Sequence, residues 1–301
     1  MEYKRILVPV DFSDCSNKAL EYAIIFGEKY GAELTLFHVI ALFQEDVGEV
    51  EKVHELEQYV KKQEERIRQQ MAGSEEKATA RGITVTSRIQ RGVNPADTIL
   101  EHLDETDYDL VIMGTHGRTG LKHVLQGSVA EKVVRLSPIP VLTIHREVTK
   151  FDFDDILVPI DFSMHSHKAV EYAADLARNF QARLVFIHVI EQEIHPSFYA
   201  AGVTSIFEID HDLKQRVIKN MQEFVADFLE ESIPCEFVVL EGKAHREIVQ
   251  YAKETDTDLI VIATHGLTGL EYLLLGSTTE KVVRWATCPV FTVKSSLEKD
   301  E

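Results

Sequence analysis

The chain repeats itself, and this constrains its fold more than any other feature. ILVPVDFS at residues 6–13 recurs as ILVPIDFS at 156–163, with seven identities in eight. KALEYA at 18–23 returns as KAVEYA at 168–173, and HVI at 38–40 as HVI at 188–190. Residues 106–146 align without a gap on 255–295, with 21 identities in 41. The offset is 150 residues at the start and 149 at the end, so one residue is lost between. A period this long denotes two copies of one domain, because solenoid repeats run only about 20–50 residues. At 301 residues the chain is long for one domain of roughly 100–200 residues and comfortable for two. The pattern places one domain at 1–148 and the other at 153–301, joined near EVTKFDF at 147–153.

Each copy alternates strand and helix. Ile6–Val10 is a short β-branched run that ends in a turn at Asp11-Phe12-Ser13. Ala19, Tyr22, Ala23 and Phe26 then have helical spacing, and Gly31 is a stop. Further apolar runs at Leu34–Ile40, Ile83–Ile89, Leu110–Met113 and Val141–Ile144 read as strands. Residues 45–72 carry charges at nearly every turn and read as a long exposed helix, while Pro95–Leu103 and Ser128–Leu136 read as two more helices. The second copy repeats the strands at 156–160, 184–190, 235–240, 259–262 and 290–293. Continuous apolar strands alternating with helices imply a parallel sheet covered on both faces. The fold class is therefore α/β: two tandem, five-stranded, parallel, doubly wound (Rossmann-like) sandwich domains.

Charge narrows the partners. With 32 Lys+Arg against 50 Asp+Glu the chain carries −18, which argues against nucleic acid and anionic lipid as partners, since phosphate affinity comes from clustered cations. The imbalance is unequal: 19 basic and 24 acidic residues in 1–150, 13 and 26 in 151–301. The three cysteines form no CxxC pair, so zinc ribbons and thioredoxin-type motifs are excluded. No run of about 18 apolar residues is present, and the expectation is a cytoplasmic protein without membrane contact.

In a doubly wound sheet, ligands sit beyond the carboxyl ends of the strands, where the strand order reverses. The fourth strand of the first copy runs into GTHGRTGLKHVLQGS, with Gly114, Gly117 and Gly127 followed by Ser128 at a helix start. Glycines let a backbone approach a phosphate closely, and a helix start offers N–H groups and a favourable dipole to an anion. The competing use is an ordinary glycine-punctuated loop with Ser128 as an N-cap. Neither a Walker A lysine pattern nor GxGxxG occurs, which disfavours P-loop NTPases and dinucleotide-binding enzymes.

The G-x2-G-x9-G-S spacing, the opening strand ILVPVDFS and the HVI of the second strand together resemble the universal stress protein family in its tandem two-domain form. The resemblance covers nearly the whole chain, twice. It implies ATP (or AMP or ADP) with Mg2+ as cofactors, a role in stress response or regulation, and little or no turnover. By position, Pro9, Asp11 and Val39 match family residues around the adenosine end of the nucleotide. Met113, Gly114, Thr115, His116 and Gly117 match the first half of the loop, and Gly127, Ser128 and Val129 the phosphate-binding turn. In the second copy the matches are Pro159, Asp161, Val189, Ile262, Thr264, His265, Gly266, Gly276, Ser277 and Thr278.

Two departures separate the copies. Ala263 replaces the first glycine of the motif, and Leu267 replaces Arg118. If that position requires positive φ, Ala costs about 1 kcal/mol or more; if it is extended, only bulk near the ligand matters. With the acidic excess of the second half, these changes predict weaker binding or a different ligand there. Asp11 and Asp161 suit a ribose, adenine or metal-water contact, or else an Asx turn or helix cap. His165 and His167 form a two-histidine cluster that reads as a solvated turn rather than a metal site; no metal ligand is assigned. Cys15 reads as buried packing. No nucleophile–base pair is recognisable, so no catalytic residue is assigned, and a binding protein is favoured over a slow ATPase or self-phosphorylating enzyme with Ser128 or Thr278 as acceptor. A third reading is a scaffold whose second domain recognises a partner or another small ligand. A homodimer of the tandem chain and an unidentified protein partner complete the expectations.

Overall fold

The computed structural model describes residues 1–41, 50–115, 128–145, 148, 151, 153–191, 204–230, 232–264 and 275–294. The chain forms two compact units, residues 2–146 and 147–301.

In the first unit the elements run β1 (Arg5–Pro9), α1 (Asp14–Tyr30), β2 (Glu33–Ala41), α2 (Val50–Ala80), β3 (Val85–Gly92), α3 (Pro95–Glu105), β4 (Leu110–Gly114), α4 (Ser128–Leu136) and β5 (Val141–Ile144). The strands pair in parallel in the order β3-β2-β1-β4-β5. The second unit contains β6 (Asp155–Pro159), α5 (Met164–Phe180), β7 (Arg183–Ile190), α6 (Ile206–Ile209), α7 (Leu213–Val225), β8 (Cys235–Glu241), α8 (Ala244–Glu254), β9 (Leu259–Ala263), α9 (Ser277–Trp285) and β10 (Val290–Val293). Its order is β8-β7-β6-β9-β10, again all parallel. These are the two doubly wound five-stranded sheets that the sequence implies.

Burial explains the strand sequences. LVIMG of β4 and LIVIA of β9 lie inside their sheets and are apolar throughout, with helices on both faces. The outer strands β3, VTSRIQRG, and β8, CEFVVLE, are half exposed and mix polar with apolar residues. Strand order reverses between β1 and β4 in one unit and between β6 and β9 in the other, and each reversal opens a crevice at the carboxyl edge.

Helix ends follow local chemistry. Ser13 and Ser163 cap α1 and α5, each accepting from the N–H three residues on. Gly31 closes α1 in the left-handed region at φ 67°, and Gln181 takes the same conformation at φ 62° after α5.

The charged helix differs from its sequence reading. It runs to Ala80, and it is not wholly exposed: Ile67, Met71, Ser74 and Ala78 are buried as one stripe at helical spacing. Charge density around that stripe hides it in the sequence. The third strand starts at Val85 instead of Ile83, because Gly82 at φ 79° ends α2 and the Ile83 N–H bonds back to the Ala78 carbonyl at 3.1 Å. Ile83 then packs against Gly27, where an added Cβ would lie 2.9 Å from its Cδ1.

Candidate functional site

The second unit holds a cavity of about 370 Å³ at its strand-order reversal. Pro159, Ile160 and Asp161 form one wall at the end of β6, with Ile187, His188, Val189 and Glu191 at the end of β7. Ile262 and Ala263 close it from β9, and Gly276, Ser277, Thr278 and Thr279 from the start of α9. Ala244 and Ile248 of α8 complete the lining, with Ser166 of α5. Such a volume is in the range of a small-molecule site, and its apolar walls with a few polar groups at one end are typical of one.

The chain is fixed at several points around the cavity. Asp161 Oδ1 accepts from the Ser163 N–H at 3.0 Å and from its hydroxyl at 2.6 Å, an Asx turn. Ser163 Oγ in turn accepts from the Ser166 N–H at 3.1 Å, so Asp161 orders the start of α5 while facing the cavity. Between them Phe162 sits at φ 62°, an uncommon conformation for an aromatic residue, with its ring 4.8 Å from that of His188. The Gly276 N–H donates to the Thr264 carbonyl at 2.8 Å, and Thr279 Oγ1 donates to the Ala263 carbonyl at 2.7 Å. The two strands of chain flanking the loop are thereby tied together below the start of α9, whose first N–H groups lack helical acceptors and suit an anion.

The first unit repeats the contacts of the Asp-Phe-Ser turn. Asp11 Oδ1 accepts from Ser13 N–H at 3.0 Å and Oγ at 2.6 Å, Phe12 sits at φ 63°, and its ring stacks 5.2 Å from His38. In both units, then, the carboxylate after the first strand makes the turn contact that competes with a ligand role. Pro9, Val39 and Met113 lie at the ends of β1, β2 and β4, and Ser128 and Val129 begin α4. Thr115 is buried, its N–H and Oγ1 both donating to the Ile144 carbonyl at 2.9 and 3.1 Å. Thr264 likewise donates its N–H to Val293 at 2.9 Å and is not among the cavity-lining residues. His116, Gly117, Gly127, His265 and Gly266 lie outside the described residues, as do Arg118 and Leu267.

The structure resolves what the first motif glycine is for. Gly114 is the last residue of β4, paired in register with Ile144, and its φ is not positive. Its requirement is space: a Cβ there would fall 2.8 Å from both the carbonyl carbon and the Cβ of Cys15. Ala263 ends β9 in the same way, opposite Val293, and its methyl is buried without a left-handed backbone. No conformational penalty attaches to the replacement.

His165 and His167 are not a solvated turn. They lie in the first turn of α5, and His167 packs edge-on against Phe224 and Phe228 at 5.0 and 4.4 Å. Among the described residues no group of three His, Cys, Asp or Glu could hold a metal ion, and no helix is long and apolar enough to cross a membrane. Cys15 is buried.

Glu191 and the α8 residues of the lining were not legible as site residues. Glu191 accepts from the Ala244 N–H, capping α8 from the end of β7. Lys243, at the cap position itself, makes no side-chain cap bond. A contact spanning the β7–α8 distance in sequence carries no local pattern.

The universal stress protein family model matches residues 2–145 and again 152–294. The chain belongs to the universal stress protein family. Universal stress protein YxiE of Bacillus subtilis is 32% identical over 147 residues, covering 47% of this chain and 99% of its own. Universal stress protein E homolog of Haemophilus influenzae is 27% identical over 232 residues, 72% of each chain. Over the full length, the crystal structure of a universal stress protein from Archaeoglobus fulgidus superposes with a TM-score of 0.71 at 24% identity, covering 98% of this chain and 99% of that one. That last likeness shows a shared fold.

Proposed function

We propose that this universal stress protein binds an adenine nucleotide at the carboxyl edge of each sheet, ATP with Mg2+ in the first unit, and acts in stress response through binding with little or no turnover. The observation that carries the reading is the cavity of about 370 Å³ at the strand-order reversal, closed by the start of α9. Ile160, Ile187, Val189 and Ile262 offer an apolar slot for a base, and the N–H groups at Ser277 and Thr278 face the end where phosphates would lie. Pro9, Asp11, Val39, Met113 and Gly114 supply the matching strand ends in the first unit, with Ser128 and Val129 at the helix start. Mg2+, when bound, would neutralise phosphate charge and keep several of its waters, and Asp11 or Asp161 would reach it through one of those waters from the turn after the first strand.

Mass spectrometry of the full chain purified without added nucleotide is the direct test, followed by calorimetric titration with ATP. A co-purified adenine nucleotide, and its loss from the first unit in Gly127→Val, is the expected result. Absence of any adenine nucleotide together with no heat of ATP binding would overturn the reading. Phosphate release at several turnovers per second would replace binding by ATPase activity, since enzymes typically turn over at about 1–10³ s⁻¹.

A further inference from the structure

The two units differ at one pair of positions that brackets the cavity. In the first unit α3 packs on α4, and Lys132 Nζ meets Asp97 Oδ1 at 2.5 Å. At the 149-residue offset the same positions are Lys281 on α9 and Arg246 on α8, helices that pack on each other in the same way. An ion pair has become two like charges. A third cation, Lys243, stands at the α8 cap, where the first unit has Asn94 accepting from the Ala96 N–H at 2.9 Å.

Among the described residues none of Lys243, Arg246 and Lys281 makes an ion pair, in a half of the chain with 26 acidic residues against 13 basic. Among the described residues the neighbouring carboxylates do not serve them. Glu191 is taken by the Ala244 N–H, and Glu247 folds back beside Gly242, where an added Cβ would lie 2.7 Å from its Oε1. Glu280 adjoins Lys281 in sequence on α9 without pairing to it. The cluster is continuous with the cavity, because Ala244 lies between Lys243 and His245, and Ser277 and Thr278 begin the helix that carries Lys281. Beside it Trp285 is half exposed, its ring 5.4 Å from that of His245. His245 reports the crowding of cations: burial first, then Lys281 and Arg246, push its pKa below the ordinary value.

We infer that Lys243, Arg246 and Lys281 form a binding site for the phosphate groups of a ligand at the rim of the second cavity. The choice of phosphate as the anion rests on the nucleotide reading above; the cluster itself does not. Among the described residues the cavity lining contributes Asp161 and Glu191 and no Lys or Arg, so the rim supplies the positive charge that this lining lacks. Local charge here runs against the acidic balance of the whole half, which predicted weaker anion binding.

Trp285 is the sole tryptophan of the chain and stands at the cluster, so its emission reads this site alone. The full chain is titrated with ATP, inorganic tripolyphosphate and adenosine, in parallel with the triple variant Lys243→Gln, Arg246→Gln, Lys281→Gln. Both phosphate probes are expected to shift Trp285 emission, with Kd at least tenfold higher in the triple variant and adenosine unaffected. Arg246→Asp restores the pairing of the first unit and guards against a folding artefact: it should unfold at higher temperature and yet bind tripolyphosphate at least tenfold more weakly. Tripolyphosphate binding of natural strength in either variant, or no emission change with either phosphate probe, overturns the site. ATP that binds the triple variant unchanged removes this site and leaves the nucleotide reading standing. Cation-dependent tripolyphosphate binding without any ATP binding does the reverse.

Discussion

The His188 ring donates through Nδ1 to the Ile160 carbonyl at 2.7 Å, joining the end of β7 to the residue that follows β6. His38 makes the same bond to Val10 at 2.6 Å. A carbonyl only accepts, so Nδ1 carries the proton in both rings. The bond lies one residue from the Asp-Phe-Ser turn, whose Phe12 and Phe162 hold left-handed backbone at 63° and 62°. It steadies a strained turn beside the site.

Removing this tether should loosen the turn. His38→Ala leaves a buried carbonyl without its donor and should destabilise the protein by about 1–3 kcal/mol in urea unfolding. His188→Ala, at a less buried ring, should cost less. Natural midpoints in both variants would show that the bonds are incidental.

Gly114→Ala should be destabilising by about 1–3 kcal/mol, because the new methyl meets the backbone of Cys15 and overpacking is not relieved by a side-chain rotation. Ala263→Gly should change stability by no more than about 1 kcal/mol, since no left-handed strain is there to relieve. Equal effects of the two substitutions in urea melts would refute the steric account.

Acid should weaken the first unit through His102. The ring is buried, stacks 4.5 Å from Phe37 and shares a 3.0 Å hydrogen bond with the Tyr108 hydroxyl. Burial, and then the charge of Arg88, lower its pKa in the fold. The unfolded chain therefore binds a proton near the ordinary value of about 6.5, where the native ring does not, and stability rises with pH through that window. Unfolding free energy should be complete above about pH 6.5 and decline as pH falls below it. His102→Gln should flatten the decline; an unchanged slope would assign it to other groups.

The thiols should divide one to two. Cys235 is exposed, whereas Cys15 and Cys288 are buried. Burial raises the Cys235 pKa, and it pushes that of Cys288 up to about 12. A thiol-reactive chromophore should titrate one cysteine in the native protein, slowly for lack of thiolate, and three after denaturation. Rapid labelling of two or more native thiols would contradict the burial.

The duplication, the alternation of strand and helix and the parallel sheets are legible in the sequence, because repetition and apolar periodicity are local signals. The ends of β1, β2 and β4, and the Ser128 and Ser277 helix starts, are legible for the same reason: each is a motif within one stretch of chain. What the sequence leaves open depends on contacts between distant residues. Whether Gly114 serves conformation or space follows from how closely the start of α1 passes β4. The buried stripe of α2, from Ile67 to Ala78, acquires its meaning only where the sheet covers it. Glu191 becomes a helix cap through Ala244, and Arg246 becomes a neighbour of Lys281 only because two helices far apart in sequence pack together. Local propensity writes the elements, while long-range packing decides which charges and which methyl groups face each other.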